Sequence, residues 1–218
     1  MGFWPVLYIV HMTDRKKKMA RLSEKYSLGI LDQDNSLSQY NGFLKNMGEP
    51  LTIEDFVSER FLEPVPVRVL EIGCGKARAL FELKEKFGKK VETIGIDLVV
   101  PKKNHSDVFL EGDAWRIPFP RECNVIFSFR ALHEVGFSKD MVQKITEALG
   151  IGGVGLLSFR IAESIGGKKS FLGEMTEADE VFLVDLPLVV NGCSIVKTIF
   201  FDKADPKIVS GIFLKIEK

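Results

Sequence analysis

The sequence has few cysteines, no net charge and no long apolar run. Its three cysteines, Cys74, Cys123 and Cys193, are far apart and outside any Cys-x-x-Cys spacing, so we expect neither a disulfide framework nor a metal site. Thirty basic residues balance thirty acidic ones, which gives no overall field that would recruit nucleic acid or an anionic lipid surface. These absences favour a protein of a reduced, cytoplasmic compartment.

The N-terminus also lacks the order of a signal peptide. Its apolar stretch, FWPVLYIV, comes before the basic run Arg15–Lys18, and about ten apolar residues are too few to span a bilayer. Val6 stands where N-myristoylation needs Ser or Thr. We interpret the segment as a dispensable leader or a packed strand, with Met12 or Met19 as candidate start residues. The alternative is a segment that binds a membrane surface.

A chain of 218 residues can form one domain with an appendage. Residues 1–50 show no sustained hydrophobic period, and we predict an N-terminal extension that is partly irregular or forms a lid. Residues 51–218 are predicted to form the main domain. It opens with Thr52 and Asp55, which have the spacing of a capping box, followed by apolar residues at helical spacing that stop at Pro64.

Strand-like and helix-like patterns alternate from Val67 onward. The strand runs are VRVLEI, VETIGIDL, DVFLEGD, NVIFSF and GVGLLSF, with helical segments such as ARALFELKEKFG between several of them. Two last runs, SIVKTIFFD and IVSGIFLKIEK, are joined only by KADPK, which is too short for a parallel crossover. The sequence therefore predicts an α/β fold: a doubly wound, mostly parallel seven-stranded sheet with a C-terminal antiparallel hairpin.

The turn after the first strand run reads EIGCGKA, residues 71–77. In open α/β sheets, ligands bind at the carboxyl ends of the strands, and glycines at 73 and 75 permit a sharp turn that a ligand can approach closely. A dinucleotide motif, GxGxxG, requires its third small residue at position 78, where Arg78 stands; here the small residue is Ala77. This spacing disfavours a nicotinamide-dependent oxidoreductase, which stays as the less favoured alternative.

At these positions the sequence resembles the class I S-adenosylmethionine-dependent methyltransferases, and the small-molecule branch among them. Their first motif is an acid followed by GxGxG; here it reads LEIGCGKA, with Ala77 in place of the last glycine. The segments ETIGIDL, LEGDAWRIPFP and NVIFSFRALHEV follow in the family's order, although Asn124 stands where many members have Asp. The resemblance covers residues 67–218, and it implies this fold, methyl transfer as the activity and S-adenosylmethionine as the cofactor.

The resemblance also implies which residues contact the cofactor. The turn would lie beneath its methionine part, Asp97 would accept hydrogen bonds from the ribose hydroxyls, and Asp113 would accept one from the adenine amine while Ala114 donates its backbone N–H. The end of the fourth strand would lie beside the methionine. The implied contacts are Glu71, Gly73, Cys74, Gly75, Asp97, Leu98, Asp113, Ala114, Ser128 and Phe129.

Each of these residues also has a structural interpretation. The glycines can serve a tight turn alone, Asp97 can end a strand, and Asp113 can open the turn before RIPFP. The role of a small apolar side chain explains Cys74 better than the role of a nucleophile. His133, in ALHEV, is the candidate catalytic base for a protonated acceptor, with Glu134 as a second candidate; a capping or packing histidine is an equal alternative.

The acceptor is the least determined part of the function. The Asn/Asp-Pro-Pro-aromatic motif of enzymes that methylate amino groups of nucleic acids and glutamine is absent, and SFRA stands in its place. The ALHEV segment resembles small-molecule methyltransferases, which favours a small-molecule substrate. RNA or protein methylation, and a non-catalytic partner subunit that binds the cofactor, are the alternatives. The sequence predicts no transmembrane segment and leaves the oligomeric state open.

Overall fold

The computed structural model describes Ala20, Glu24 and residues 35–62, 64–101, 103–129, 131–132, 139–172 and 175–218. The apolar N-terminal stretch, the basic run after it and both candidate start residues lie outside these ranges. The described helices are α1 (Leu37–Asn46), α2 (Ile53–Ser58), α3 (Arg78–Phe87), α4 (Lys139–Ala148) and α5 (Glu177–Val184), with a short 3-10 helix at Gly88–Lys90. No helix within these ranges is long and apolar enough to cross a membrane.

Ten strands are described, and eight of them form one sheet in the order β3-β2-β1-β4-β5-β10-β9-β8. The strands are β1 (Val67–Ile72), β2 (Val91–Asp97), β3 (Val108–Glu111), β4 (Cys123–Phe129), β5 (Leu149–Arg160), β6 (Ala162–Ile165), β7 (Lys168–Phe171), β8 (Val189–Val190), β9 (Cys193–Phe201) and β10 (Val209–Glu217).

The sheet confirms the predicted doubly wound fold. The first five strands pair in parallel, and β10 runs antiparallel to both β5 and β9, as the short connection between the last two strand runs required. The direction of strand progression reverses between β1 and β4. Their carboxyl ends therefore flank the crevice in which such sheets bind ligands.

The predicted number of seven strands in this sheet is one too low. The eighth strand, β8, has two residues and pairs with Cys193 and Ser194 at the start of β9. Two residues are too few to give an alternating pattern, so the sequence contained no signal for it. A separate hairpin of β6 and β7, turned at Gly166 and Gly167, follows β5 and was also not predicted.

Helices cover both faces of the sheet. Along β1, Val67 and Val69 pack into a core with α1, α2 and α3, whereas Leu70 and Ile72 pack into a second core with α4 and α5. The parallel strands β1, β2 and β4 are buried on both sides, which explains their nearly continuous apolar sequences. The carboxyl edge between the two helical layers is thus the place where polar side chains can gather.

The predicted helix before β1 is present but shorter than expected. Thr52 and Asp55 form the capping box of α2, with side-chain and backbone bonds in both directions. The helix ends at Ser58, before the prolines. Phe61 lies beyond it and packs edge-on against Phe87, with ring centroids 5.2 Å apart. Its apolar side chain therefore packs from a turn and not from an extension of the helix.

The helix α1 lies in the segment that we predicted as a partly irregular extension. A capping box between Ser36 and Gln39 starts it. Leu37, Tyr40 and Leu44 are buried on one face, at the spacing of an amphipathic helix. The division of the chain into residues 1–50 and 51–218 stays a prediction.

Candidate functional site

The turn that follows β1 is held directly on β2. The backbone N–H groups of Gly73 and Cys74 both donate to the carbonyl oxygen of Ile96, at 2.8 and 3.1 Å. Gly73 has a φ of +76°, in the left-handed region that favours glycine. A Cβ at Gly73 would lie 2.3 Å from the Cβ of Ala131, in the segment after β4. The close approach of these two connections therefore requires a glycine at position 73.

Ala77 closes the same turn in a left-handed conformation. Its φ is 60° and its ψ 38°, directly before α3, and its side chain is fully buried. The sequence pattern presented this residue as a small replacement for glycine. The structure adds a conformational cost, because the left-handed region disfavours a residue with a Cβ by about 1–2 kcal/mol.

We expect Ala77→Gly to leave the free energy of unfolding within about 0.5 kcal/mol of the wild-type value. The relief of left-handed strain offsets the greater freedom of glycine in the unfolded chain, about 0.4–1 kcal/mol, and the lost burial of one methyl group, about 0.8 kcal/mol. Ala79→Gly, at a buried position within α3, is the control and should lose about 1.5–2 kcal/mol. Urea unfolding measures both, and equal losses would contradict the strain at Ala77.

Asp97 joins the glycine turn to the end of β2. Its Oδ2 accepts the N–H of Gly75 at 2.7 Å, and its Oδ1 accepts the N–H of Leu98 at 2.7 Å. Burial raises the pKa of this carboxyl, although the amide donors act in the opposite direction. Gly112, after β3, donates its N–H to the Asp97 carbonyl oxygen at 2.8 Å. Three successive strand ends therefore converge on Asp97.

Glu71, near the end of β1, lies buried beneath α1. The hydroxyl of Tyr40 donates to its Oε1 at 2.7 Å. Burial, and then the charge of Glu71, raise the pKa of the Tyr40 phenol, which keeps it protonated as a donor. The N–H of Leu37 donates to Oε2 of Glu82 in α3 at 2.8 Å. The helix α1 is thus bonded to the chain on both sides of the glycine turn.

The last two residues of β4 face opposite sides of the sheet. Ser128 donates its hydroxyl to the carbonyl oxygen of Ile72 at 2.9 Å, which fastens the end of β4 to the end of β1. The ring of Phe129 stacks on Tyr40 with centroids 4.9 Å apart and an interplanar angle of 27°. Phe129 therefore forms part of the contact with α1. A role for either residue beside the methionine part of a cofactor stays a prediction.

The chain after β3 turns tightly around Asp113. Its Oδ1 accepts the N–H of Trp115 at 3.0 Å, and its carbonyl oxygen accepts the N–H of Arg116 at 2.8 Å. Ala114 is buried within this turn. The two residues predicted to recognise adenine are consequently adjacent to the backbone bond that joins Gly112 to the end of β2.

Cys74 points into the protein. It is buried, and a Cβ at Gly95 of β2 would lie 2.6 Å from its Sγ. Burial raises the pKa of its thiol well above the usual value. A buried thiol that stays protonated is a poor nucleophile, which agrees with the packing role predicted for this residue.

The structure brings the glycine turn, Asp97 and Asp113 to one edge of the sheet. The candidate bases, His133 and Glu134, lie outside the described residues. Tyr40 is a neighbour of the site that the sequence analysis missed, although its helical spacing from other buried residues was an available signal. Within the described part of the chain, no three His, Cys, Asp or Glu side chains are arranged to hold a metal ion.

No protein-family model matches the chain, and no curated protein matches it significantly by sequence. Solved structures resemble it in fold. An S-adenosylmethionine-dependent methyltransferase from Aquifex aeolicus is 17% identical over 81% of this chain and 97% of its own, with a TM-score of 0.46. An S-adenosylmethionine-dependent methyltransferase from Mesorhizobium loti is 13% identical over 74% of this chain and 95% of its own, with a TM-score of 0.44.

A further solved structure, the cyclase SpnF, is 14% identical over 84% of this chain and 96% of its own, with a TM-score of 0.47. Similarity at this level supplies no residue-by-residue correspondence. The assignment of roles within the site therefore depends on the hydrogen bonds and packing of this chain alone.

Proposed function

We propose that the protein is a class I S-adenosylmethionine-dependent methyltransferase. The observation that carries the proposal is the bond between the Asp97 carboxylate and the N–H of Gly75. It puts a buried acid beside a left-handed glycine turn at the carboxyl edge of a sheet whose strand order reverses at that point. An acid and a glycine turn in this relation suit a ligand with a ribose next to an extended chain.

The residues present fit such a cofactor chemically. The Asp97 carboxylate already accepts backbone N–H groups from Gly75, Leu98 and Val99, and a carboxylate has about four acceptor positions, which leaves one for a ribose hydroxyl. The left-handed conformations of Gly73 and Gly75 bend the chain sharply at this edge of the sheet. Asp113 and Ala114 would meet the adenine, and Glu71, Ser128 and Phe129, near the ends of β1 and β4, are proposed to lie beside the methionine part.

The cofactor, when bound, would supply an electrophilic methyl group on a sulfonium sulfur, which the acceptor atom would take in line as the neutral thioether leaves. The chain's own residues are needed to hold the two reactants in line and to exclude water. This chemistry requires no metal and no protein nucleophile. A base is needed only where the acceptor arrives protonated, and His133 and Glu134 remain the proposed candidates.

We propose a small molecule as the acceptor. The support is the SFRA sequence, which begins with the last two residues of β4 and lacks the motif of enzymes that methylate amino groups of nucleic acids and glutamine. RNA or protein as the substrate is the second proposal. A third is a non-catalytic partner subunit, which would keep the bonds around Asp97 without transferring a methyl group.

A transfer assay with methyl-labelled cofactor tests the activity. The protein is incubated with separate fractions of metabolites, RNA and protein, and we expect label in the metabolite fraction. The Asp97→Ala variant, which lacks the bond to the turn, should transfer roughly 5- to 150-fold less at subsaturating cofactor. Label in RNA or protein would replace the acceptor proposal, and cofactor binding with no transfer to any fraction would favour the partner subunit.

A further inference from the structure

Lys144 of α4 reaches across to the turn that follows β3. Its ammonium group donates to the carbonyl oxygens of Ala114 and Ile117, both at 2.5 Å. It also lies 4.2 Å from the centroid of the Phe119 ring. One side chain thus holds both ends of the segment 114–117 and the aromatic ring that follows it.

The environment of this lysine is unusual for a residue on an amphipathic helix. Burial lowers the pKa of Lys144, and the charge of Asp113 acts in the opposite direction. Neighbouring residues of α4, Met141, Val142 and Ile145, are fully buried in the core. The helix is therefore fixed in position, and the lysine it carries is a rigid support rather than a mobile surface charge.

The turn itself is fixed at its other end by the backbone. Gly112 donates to the Asp97 carbonyl oxygen at 2.8 Å, and a Cβ on Gly112 would lie 2.5 Å from Cγ2 of Ile117. The N–H of Ile117 donates back to the carbonyl oxygen of Asp113 at 3.1 Å. The orientation of Asp113 and Ala114 is consequently set by two supports, the end of β2 and Lys144.

We propose that Lys144 is a positioning residue for purine recognition. It holds the carbonyl groups of the turn so that the Asp113 carboxylate and the Ala114 N–H keep a fixed spacing for the edge of an adenine ring. Lys144 does not itself contact the ring. The inference rests on the proposed function, because it assumes that an adenosine-containing cofactor occupies this edge of the sheet.

The chemistry of the two purines gives a specific readout. Adenine presents an amino donor beside a ring acceptor, whereas hypoxanthine presents a carbonyl acceptor beside a ring N–H donor. A carboxylate and a backbone N–H at fixed spacing pair with the first pattern and leave buried groups unpaired with the second. Loosening the turn should therefore reduce the discrimination between the two rings more than it reduces overall affinity.

The experiment compares S-adenosylhomocysteine with S-inosylhomocysteine, which differs only in this exchange on the purine. We expect the wild-type protein to prefer the adenosine compound by roughly tenfold to a hundredfold in Kd. Lys144→Met, which keeps the aliphatic chain and removes the donors, should reduce this preference at least fivefold. Lys139→Met on the same helix, where the lysine is exposed, is the matched control and should keep the wild-type preference.

Two further variants keep the test decisive. Lys144→Arg retains several donors and should recover part of the preference. Lys144→Gln, with one donor group, should show a weaker preference than the wild-type protein, and it replaces the Met variant in the test if that variant does not fold. Wild-type preference in a folded Met or Gln variant overturns the role of Lys144 while the proposed function stands. No binding of either compound to the wild-type protein overturns the proposed function, and this inference with it.

Discussion

Replacing Gly73 with alanine is expected to lower the free energy of unfolding by about 2–5 kcal/mol. Two physical effects add. The left-handed φ of +76° disfavours an alanine by about 1–2 kcal/mol, and the new Cβ would meet the Cβ of Ala131 at 2.3 Å, an overlap of the kind that costs about 1–3 kcal/mol when a packed core is overfilled. Ala131 has no flexible side chain that could move aside, so the backbone of one connection must shift.

Gly48→Ala separates these two effects. Gly48 has a similar φ of +81°, but a Cβ there would have no atom within 4 Å. This control should lose only the conformational part, about 1–2 kcal/mol. Urea unfolding of both variants gives the comparison. Thermal unfolding gives a second one, with a shift in melting temperature of about 2–4 °C per kcal/mol. Similar losses in the two variants would show that the β1 and β4 connections do not pack as described.

Replacing Asp97 with alanine is expected to weaken binding of S-adenosylhomocysteine by about 1–3 kcal/mol, which corresponds to roughly a 5- to 150-fold increase in Kd. The carboxylate is expected to act twice. It would accept hydrogen bonds from the ribose, and it holds the glycine turn through the N–H of Gly75. Loss of the side chain removes the first contact and frees the turn that the methionine part would rest on.

The matched control is Glu92→Ala, because Glu92 lies on the same strand at its opposite end, where it pairs with Arg68 at the edge away from the site. It removes the same charge and should leave the affinity unchanged. Calorimetric titration measures both variants. Unchanged affinity in a folded Asp97→Ala variant would remove this residue from the site.

The pH dependence of binding offers a second readout for Asp97. Burial raises the pKa of this carboxyl, so it takes up a proton at a higher pH than an exposed aspartate. The protonated form is a weaker acceptor for ribose hydroxyls. Affinity should therefore fall as the pH falls through the raised pKa, and Asp97→Asn should lack this part of the pH dependence.

The order of strands and helices could be predicted because it depends on patterns that are local in sequence. The apolar runs of β1, β2, β4 and β5 are long, and the short KADPK connection permits only an antiparallel pair. The pairing of β8 with β9 could not be predicted, since a two-residue strand exists only through its neighbour. The contact of Phe61, beyond the early end of α2, with Phe87 joins residues far apart in sequence and could not be predicted from a local pattern.

The residues of the site also divide into those that the sequence predicts and those that it does not. Glycines at 73 and 75 and the acid at 97 follow strand runs, so their meeting at one edge of the sheet follows from the parallel topology. The left-handed conformation of Ala77 could not be predicted from the sequence, because an alanine usually indicates a helix. The bond from Tyr40 to Glu71 and the reach of Lys144 to the turn after β3 join segments about 30 residues apart, and no spacing rule relates them.

Calorimetric titration of the purified wild-type protein with S-adenosylhomocysteine and, separately, with NADH tests the central claim most directly. The geometry around Asp97 and Gly75 predicts that S-adenosylhomocysteine binds in the micromolar range and that NADH does not bind. Binding of NADH with no response to S-adenosylhomocysteine would contradict the claim and favour a nicotinamide-dependent oxidoreductase.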